Sequence, residues 1–184
     1  MSKKVDLNSY DNSWYKPGNK LKIIAWYWIN ELVLKNTLLP FSKLKVIVLR
    51  CFGANIGVGV TFKPGVNVKY PWFLEIGNYC WIGEDVWIDN LAKVTIEDNV
   101  CISQGAMLLC GNHDYKKTTF DLIVGEITLK EGAWVGAKSV ICPGVTMNSY
   151  AILSVNSVAT NDLEAHSICK GNPAVKIRDR IIES

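Results

Sequence analysis

The six cysteines of this 184-residue sequence form no CxxC pair, and there are only two histidines, His113 and His166. A disulfide framework belongs to short secreted domains, and the polar, lysine-containing start carries no signal-peptide pattern. Reduced, mostly packed thiols in a cytoplasm are therefore expected. Two histidines fall short of a three-histidine zinc site, so no metal is expected. Neither sign of charge dominates: a net charge of +3 is too small to argue for nucleic acid, and no such partner is expected. A long apolar run is missing too. In residues 21–49, the most apolar region, the longest uncharged stretch is IIAWYWIN, far short of the ~20 residues that span a bilayer. What remains, with 49% hydrophobic and 20% charged residues, is a soluble globular chain long enough for one domain with a substantial core.

Residues 1–50 read as an apolar helical segment. Ile24, Trp28, Leu32 and Lys35 fall at helical spacing, and Pro40 should end or kink the helix. Two placements are open at this point. The helix packs on the rest of the protein or on another subunit, or residues 21–49 make a peripheral membrane contact, with Trp14, Trp26 and Trp28 near the headgroups.

From Ile56 onward the chain divides into sixes that each begin with an apolar residue. They run IGVGVT (56–61), FKPGVN (62–67) and VKYPWF (68–73), then IGNYCW (76–81), IGEDVW (82–87) and IDNLAK (88–93), then IEDNVC (96–101) and ISQGAM (102–107). The register resumes with LKEGAW (129–134) and continues through LSVNSV (153–158). The fifth position is usually small or β-branched, as at Val60, Cys80, Val86, Ala106, Ser139, Val145 and Ser157. A period of six suits a flat strand followed by a corner, three sides closing a triangular coil of about 18 residues. Position one then points inward and stacks on its counterpart in the next coil, and stability builds up between neighbours. Gly57, Gly77, Asn78, Gly83, Asp98, Asn99, Gly132 and Gly136 are expected to supply the positive φ of the corners.

Extra apolar-polar pairs precede Ile76, Ile96 and Leu129, each after three sixes, so all should lie at one corner of the prism. At the third pass the repeat gives way to GNHDYKKTTFD (111–121), which contains His113. A loop projecting from a rigid scaffold is where function tends to reside. The chain therefore divides into the N-terminal segment 1–50, a β-helix over 51–168 with loop 110–126, and a tail over 169–184.

These features resemble the hexapeptide-repeat acyltransferases, whose repeats form a left-handed parallel β-helix. GNHDY followed by FDLIVGEITLKEGAWVGAKSVICPGVT is similar to the histidine loop and following coils of sugar O-acetyltransferases, and GNPAVKIRDR (171–180) to their tail. Within that family the resemblance is to the colanic acid biosynthesis acetyltransferase-like group, which also has an apolar N-terminal helical segment. The resemblance implies an all-β fold with an N-terminal helical segment, acetyl-CoA as co-substrate, and a homotrimer with the donor between adjacent subunits. It implies His113 as general base for a sugar hydroxyl, in exopolysaccharide, capsule or surface-glycan biosynthesis. Trp134, Gly136, Ala137, Val155 and Thr160 would line the donor crevice, and Lys176 and Arg178, with Lys170 and Arg180, would meet CoA phosphates. Asp89, Asn90, Asp114 and Tyr115 would meet the acceptor, which is a small molecule or a glycan. His166 matches no catalytic position. Cys110, three residues before His113, belongs by repeat position to the wall. The thiol usage gives the cytoplasm as the expected location, and lipid contact by residues 21–49 would put the protein at the inner face of the membrane. An N-acetyltransferase on a nucleotide amino sugar, or a non-catalytic β-helix scaffold, remains open at this point.

Overall fold

The structure, a computed structural model, describes residues 4–183; the ends of the N-terminal segment and of the tail, residues 1–3 and 184, lie outside the described residues. Five full coils stack on one another. They comprise Asn55–Ile56, Thr61–Phe62 and Asn67–Val68 (β1–β3), then Leu74–Ile76, Trp81–Ile82 and Trp87–Asp89 (β4–β6). Val94–Ile96, Cys101–Ile102 and Met107–Leu109 (β7–β9) follow, and a hairpin, Gly111–His113 and Leu122–Val124 (β10 and β11), interrupts. The coils resume with Ile127–Leu129, Trp134–Val135 and Val140–Ile141 (β12–β14), then Thr146–Met147, Ile152–Leu153 and Val158–Ala159 (β15–β17). Ser167–Gly171 (β18) starts a sixth coil, and Ala174–Asp179 (β19) folds back on it antiparallel.

Every third strand pairs in parallel, giving three faces: β1-β4-β7-β12-β15, β2-β5-β8-β13-β16-β18, and β3-β6-β9-β14-β17. This is the left-handed parallel β-helix. Position one of each six points inward, as its spacing predicts. Ile56, Ile76, Ile96, Leu129 and Met147 form one buried ladder; Phe62, Ile82, Ile102, Val135 and Leu153 a second; Val68, Ile88, Leu108, Ile141 and Ala159 a third. Each aliphatic side chain so buried contributes about 1.5–3 kcal/mol. The outward ladders differ. The first face is polar (Asn55, Glu75, Thr95, Thr128, Thr146), while the second and third carry Trp81, Trp134, Ile152, Trp87, Met107 and Val140.

The corners depart from expectation in one respect. Positive φ falls on the fourth residue of most sixes, including Tyr79, Asp85, Asn99, Lys138 and Gly132, but not on Gly57, Gly77, Asn78, Gly83, Asp98 or Gly136. Those second-position glycines answer to a different constraint. A Cβ on Gly136 would stand 2.6 Å from the Leu153 oxygen and Val155 nitrogen of the next coil, so the coils can stack only if it is absent.

The N-terminal segment covers the open edge of the first coil, where unpaired backbone groups would otherwise face water or another chain. It forms α1 (Lys20–Ile29), a π-helical continuation over Asn30–Leu34, and α2 (Ser42–Cys51). The Trp26 indole donates to the Val68 carbonyl, Asn30 accepts from the Val68 amide, and Arg50 donates to the Ile56 and Gly57 carbonyls. The buried Lys45 ammonium donates to the Leu34 and Lys63 carbonyls. The face turned inward is thus Trp26, Asn30 and Leu34. Ile24, Trp28 and Leu32, the stripe that periodicity singled out, are exposed. The helix is apolar on both sides, and spacing alone could not choose between them.

Because each strand is so short, the inward ladder carries the stability. Ile102→Ala should destabilise the fold by about 2–5 kcal/mol through the cavity it leaves. Thr95→Ala on the polar face should stay within about 0.5 kcal/mol. Denaturant titration of both variants against the parent measures the difference.

Candidate active site

The hairpin leaves the prism at the corner between the third and first faces, where the extra pairs Leu74-Glu75, Val94-Thr95 and Ile127-Thr128 align in register. Gly111 and Gly125 fix its base: Gly111 packs against Leu91, and the Gly125 amide donates to the Cys110 carbonyl. Its tip is held by local bonds. The Asp114 carboxylate accepts from the Lys116 amide, the Asp114 amide donates to the Asp121 carbonyl, and Lys117 pairs with Asp121 at 2.9 Å. Tyr115 is exposed on this turn.

His113 ends β10 opposite Leu122. Its ring lies against Phe120, with centroids 4.4 Å apart and planes 7° apart, and Tyr10 stands 5.7 Å away on the other contact. Nδ1 is 2.9 Å from the Phe120 carbonyl oxygen. A carbonyl oxygen can only accept, so Nδ1 carries the hydrogen and Nε2 keeps a lone pair. Phe120 has a left-handed φ of 52°, an uncommon conformation for an aromatic residue. The same residue supplies both the carbonyl and the ring that fix the imidazole. Strain here maintains the orientation of the imidazole.

Residues before α1 run over this loop, which sequence periodicity gave no means of seeing. The Asp6 amide donates to the Thr118 carbonyl, Tyr10 meets His113, and the Tyr15 hydroxyl donates to the Leu91 carbonyl. Burial, with the Tyr70, Asp89 and Cys110 charges adding to it, pushes the Tyr15 phenol up. Asp89 is nearly buried at the end of β6, its Oδ1 3.1 Å from the Lys69 ammonium but in hydrogen-bond geometry with no group among the described residues. Asn90 is different. Its amide accepts from the Tyr70 backbone nitrogen and donates to the Tyr70 carbonyl, so it locks a corner and has no face turned to a ligand. His166 is likewise a corner residue, stacked on Tyr150 with φ 54°.

A groove of about 500 Å³ runs along the second face. Trp134, Gly136, Ala137, Val155 and Arg178 line it together with Ser103 and Gln104. Residues from three coils and the tail, separated by 44 positions between Trp134 and Arg178, are thereby brought to one surface. The Trp134 indole donates to Ser103 Oγ at 2.9 Å, which sets the ring along the floor. Thr160 and Lys176 are not among the lining residues. Thr160 lies just past β17 on the third face, and Lys176 is paired with Glu164 and Asp179 at 3.0 and 2.9 Å. The histidine loop, at the corner between the third and first faces, stands across the prism from the second face.

No family model matches the chain. WcaF of Escherichia coli K12, assigned as a colanic acid biosynthesis acetyltransferase, is 32% identical over 167 residues, covering 91% of this chain and 92% of that one. The chain belongs to the hexapeptide-repeat acetyltransferases. The galactoside O-acetyltransferase of Escherichia coli K12 is 26% identical, over 68% of the acetyltransferase described here and 64% of the relative. Two solved structures agree in fold. A hexapeptide-repeat acetyltransferase from Vibrio cholerae has a TM-score of 0.77 at 21% identity, covering 87% of this chain and 91% of that one. A galactoside acetyltransferase in complex with coenzyme A has a TM-score of 0.76 at 22% identity, with 86% and 80% covered.

The Cys110 thiol of the acetyltransferase is fully buried, and burial, the largest cause, pushes it up to about 11. It is protonated at neutral pH, which leaves it without the thiolate a nucleophile needs. Alkylation of the native protein at neutral pH should therefore modify exposed Cys51 and spare Cys110, and Cys110→Ala should retain turnover. Peptide mapping after brief iodoacetamide treatment, with an activity assay of the variant, checks both outcomes.

Proposed function

We propose that this acetyltransferase moves an acetyl group from acetyl-CoA to a sugar hydroxyl in the making of a surface or extracellular glycan, with His113 as general base. The observation that carries this reading is the Phe120 carbonyl on His113 Nδ1, which leaves Nε2 as the basic nitrogen on a projecting loop. Nε2 takes the proton of the acceptor hydroxyl as that oxygen attacks the thioester carbonyl. The tetrahedral intermediate collapses with cleavage of the carbon–sulfur bond, and the imidazolium returns the proton to the departing thiolate. Thioesters are activated acyl donors, so a positioned base suffices without a covalent enzyme intermediate.

The groove on the second face suits the pantetheine arm, with Trp134 and Val155 as apolar walls, the close-packed backbone at Gly136 and Ala137, and Arg178 for a phosphate. Lys176 is already engaged in surface ion pairs, and Thr160 lies off the groove, so Arg178 is the stronger phosphate contact. Asp114 and Tyr115 from the loop, Asp89 below it and Tyr10 from the N-terminal segment build the acceptor wall. Base and donor groove stand across the prism from each other within one chain. A cyclic trimer, in which the apolar second and third faces meet between subunits, brings the loop of one to the groove of the next. The cytoplasm, where acetyl-CoA is made, is the proposed location.

Thiol release from acetyl-CoA across a panel of sugars and lipid-linked glycans tests the reading; release with none of them would sink it. His113→Ala should lower kcat by roughly 10²–10⁴ while leaving acetyl-CoA affinity intact. Arg178→Ala should instead raise KM for acetyl-CoA severalfold, more so in added salt, while Lys176→Ala changes it little. Co-refolding the His113→Ala chain with an inactive groove variant should restore part of the activity if each site is shared between subunits. Full activity of a monomer in light scattering would overturn the trimer.

A further inference from the structure

One surface plays no part in the site just described. The outward side of the helical segment exposes Leu21, Ile24, Trp28 and Leu32 on α1 and its continuation, with Leu38 and Phe41 in the connection to α2. Trp28 is 60% exposed and Leu38 85%. A helix that is apolar all round is normally buried all round. Here one side is seated on the first coil through Trp26, Asn30 and Leu34, and the other is bare. Contiguous apolar surface of this kind marks an interaction site.

Charge narrows the choice of partner. Residues 1–50 hold nine Lys/Arg against three Asp/Glu, a net of +6, whereas the remaining 134 residues hold eleven against fourteen, a net of −3. Lys16, Lys20 and Lys43 are exposed and enter no ion pair among the described residues. Glu31, the acid within the helices, is paired with Lys35. Exposed aromatic and aliphatic side chains in one segment with unpaired lysines are the composition of a helix lying in a lipid interface. The cores of protein–protein interfaces are instead depleted in lysine. No described helix is long and apolar enough to cross a membrane, so the segment would lie on it.

We infer that the outward face of the N-terminal helices docks on an anionic lipid bilayer. Ile24, Trp28 and Leu32 enter the headgroup–acyl boundary, and Lys16, Lys20 and Lys43 meet the anionic headgroups. Resting on the acetyl-transfer reading for its chemistry, this docking makes a membrane-presented glycan the acceptor class.

The test is flotation of the full chain with vesicles of phosphatidylcholine alone or mixed with phosphatidylglycerol. The protein should float with the anionic vesicles, weakly or not at all with the neutral ones, and less as salt rises. Trp28→Ser with Leu32→Ser should lower partitioning by about tenfold or more, with unchanged melting because both side chains are solvent-facing. Lys20→Gln with Lys43→Gln should lower it by about tenfold and flatten the salt dependence. Failure of the parent protein to float with anionic vesicles would overturn the inference. So would variants that float like the parent, or a Trp28→Ser/Leu32→Ser protein that keeps its vesicle binding but loses oligomeric mass in light scattering, since a second copy would then be the occupant. Flotation requires no turnover. A silent thiol-release assay would remove the transferase reading and leave the docking result standing.

Discussion

Stacking of like residues along three inward ladders is the interaction on which everything else rests. Most strands of the coils are two or three residues long, too short to persist by hydrogen bonding alone. What holds Ile82 in place is Phe62 below it and Ile102 above it, and so on along each edge. Such a solenoid is quasi-one-dimensional, so its two ends are its weak points. The first coil is closed by side chains of the helical segment, which supply the donors and acceptors a preceding coil would have supplied. The last is closed by an antiparallel turn-back of the chain itself. Both devices remove an open strand edge.

A scaffold of this rigidity can hold a strained loop in one conformation. The left-handed Phe120 would cost free energy in any setting, yet it is the residue that gives His113 its tautomer and its ring orientation. The imidazole is thus held in one orientation by its own loop. The groove shows the same logic in the opposite form. Gly136 is required by the close approach of the next coil, and that close approach makes the flat floor on which Trp134 lies.

The three faces are chemically unequal, and the inequality organises the molecule. A polar first face suits solvent, while aromatic and aliphatic ladders on the other two suit contact with further copies of the chain. The groove on the second face and the histidine loop lie on opposite sides of a single prism.

Periodicity made much of this readable in advance. The sixes, the aligned extra pairs and the break around His113 determined the coil, its corner and the projecting loop, because inward and outward positions alternate with a local rule that each segment obeys independently. Trp134, Gly136, Ala137, Val155 and Arg178 were grouped by the family resemblance rather than by the register, and the fold brings them to one groove. Only the tertiary structure decided which side of an all-apolar helix is buried, since Trp26 rather than Trp28 finds a carbonyl to bond. It alone tied Asn90 to the Tyr70 backbone, engaged Lys176 with two carboxylates and laid Tyr10 against His113. Each of these depends on a partner distant in sequence or on the direction in which a side chain leaves its strand, and a repeat pattern records neither. The sequence by itself determined the prism and the place of its loop; the partners of the outward-facing side chains were decided by three-dimensional proximity.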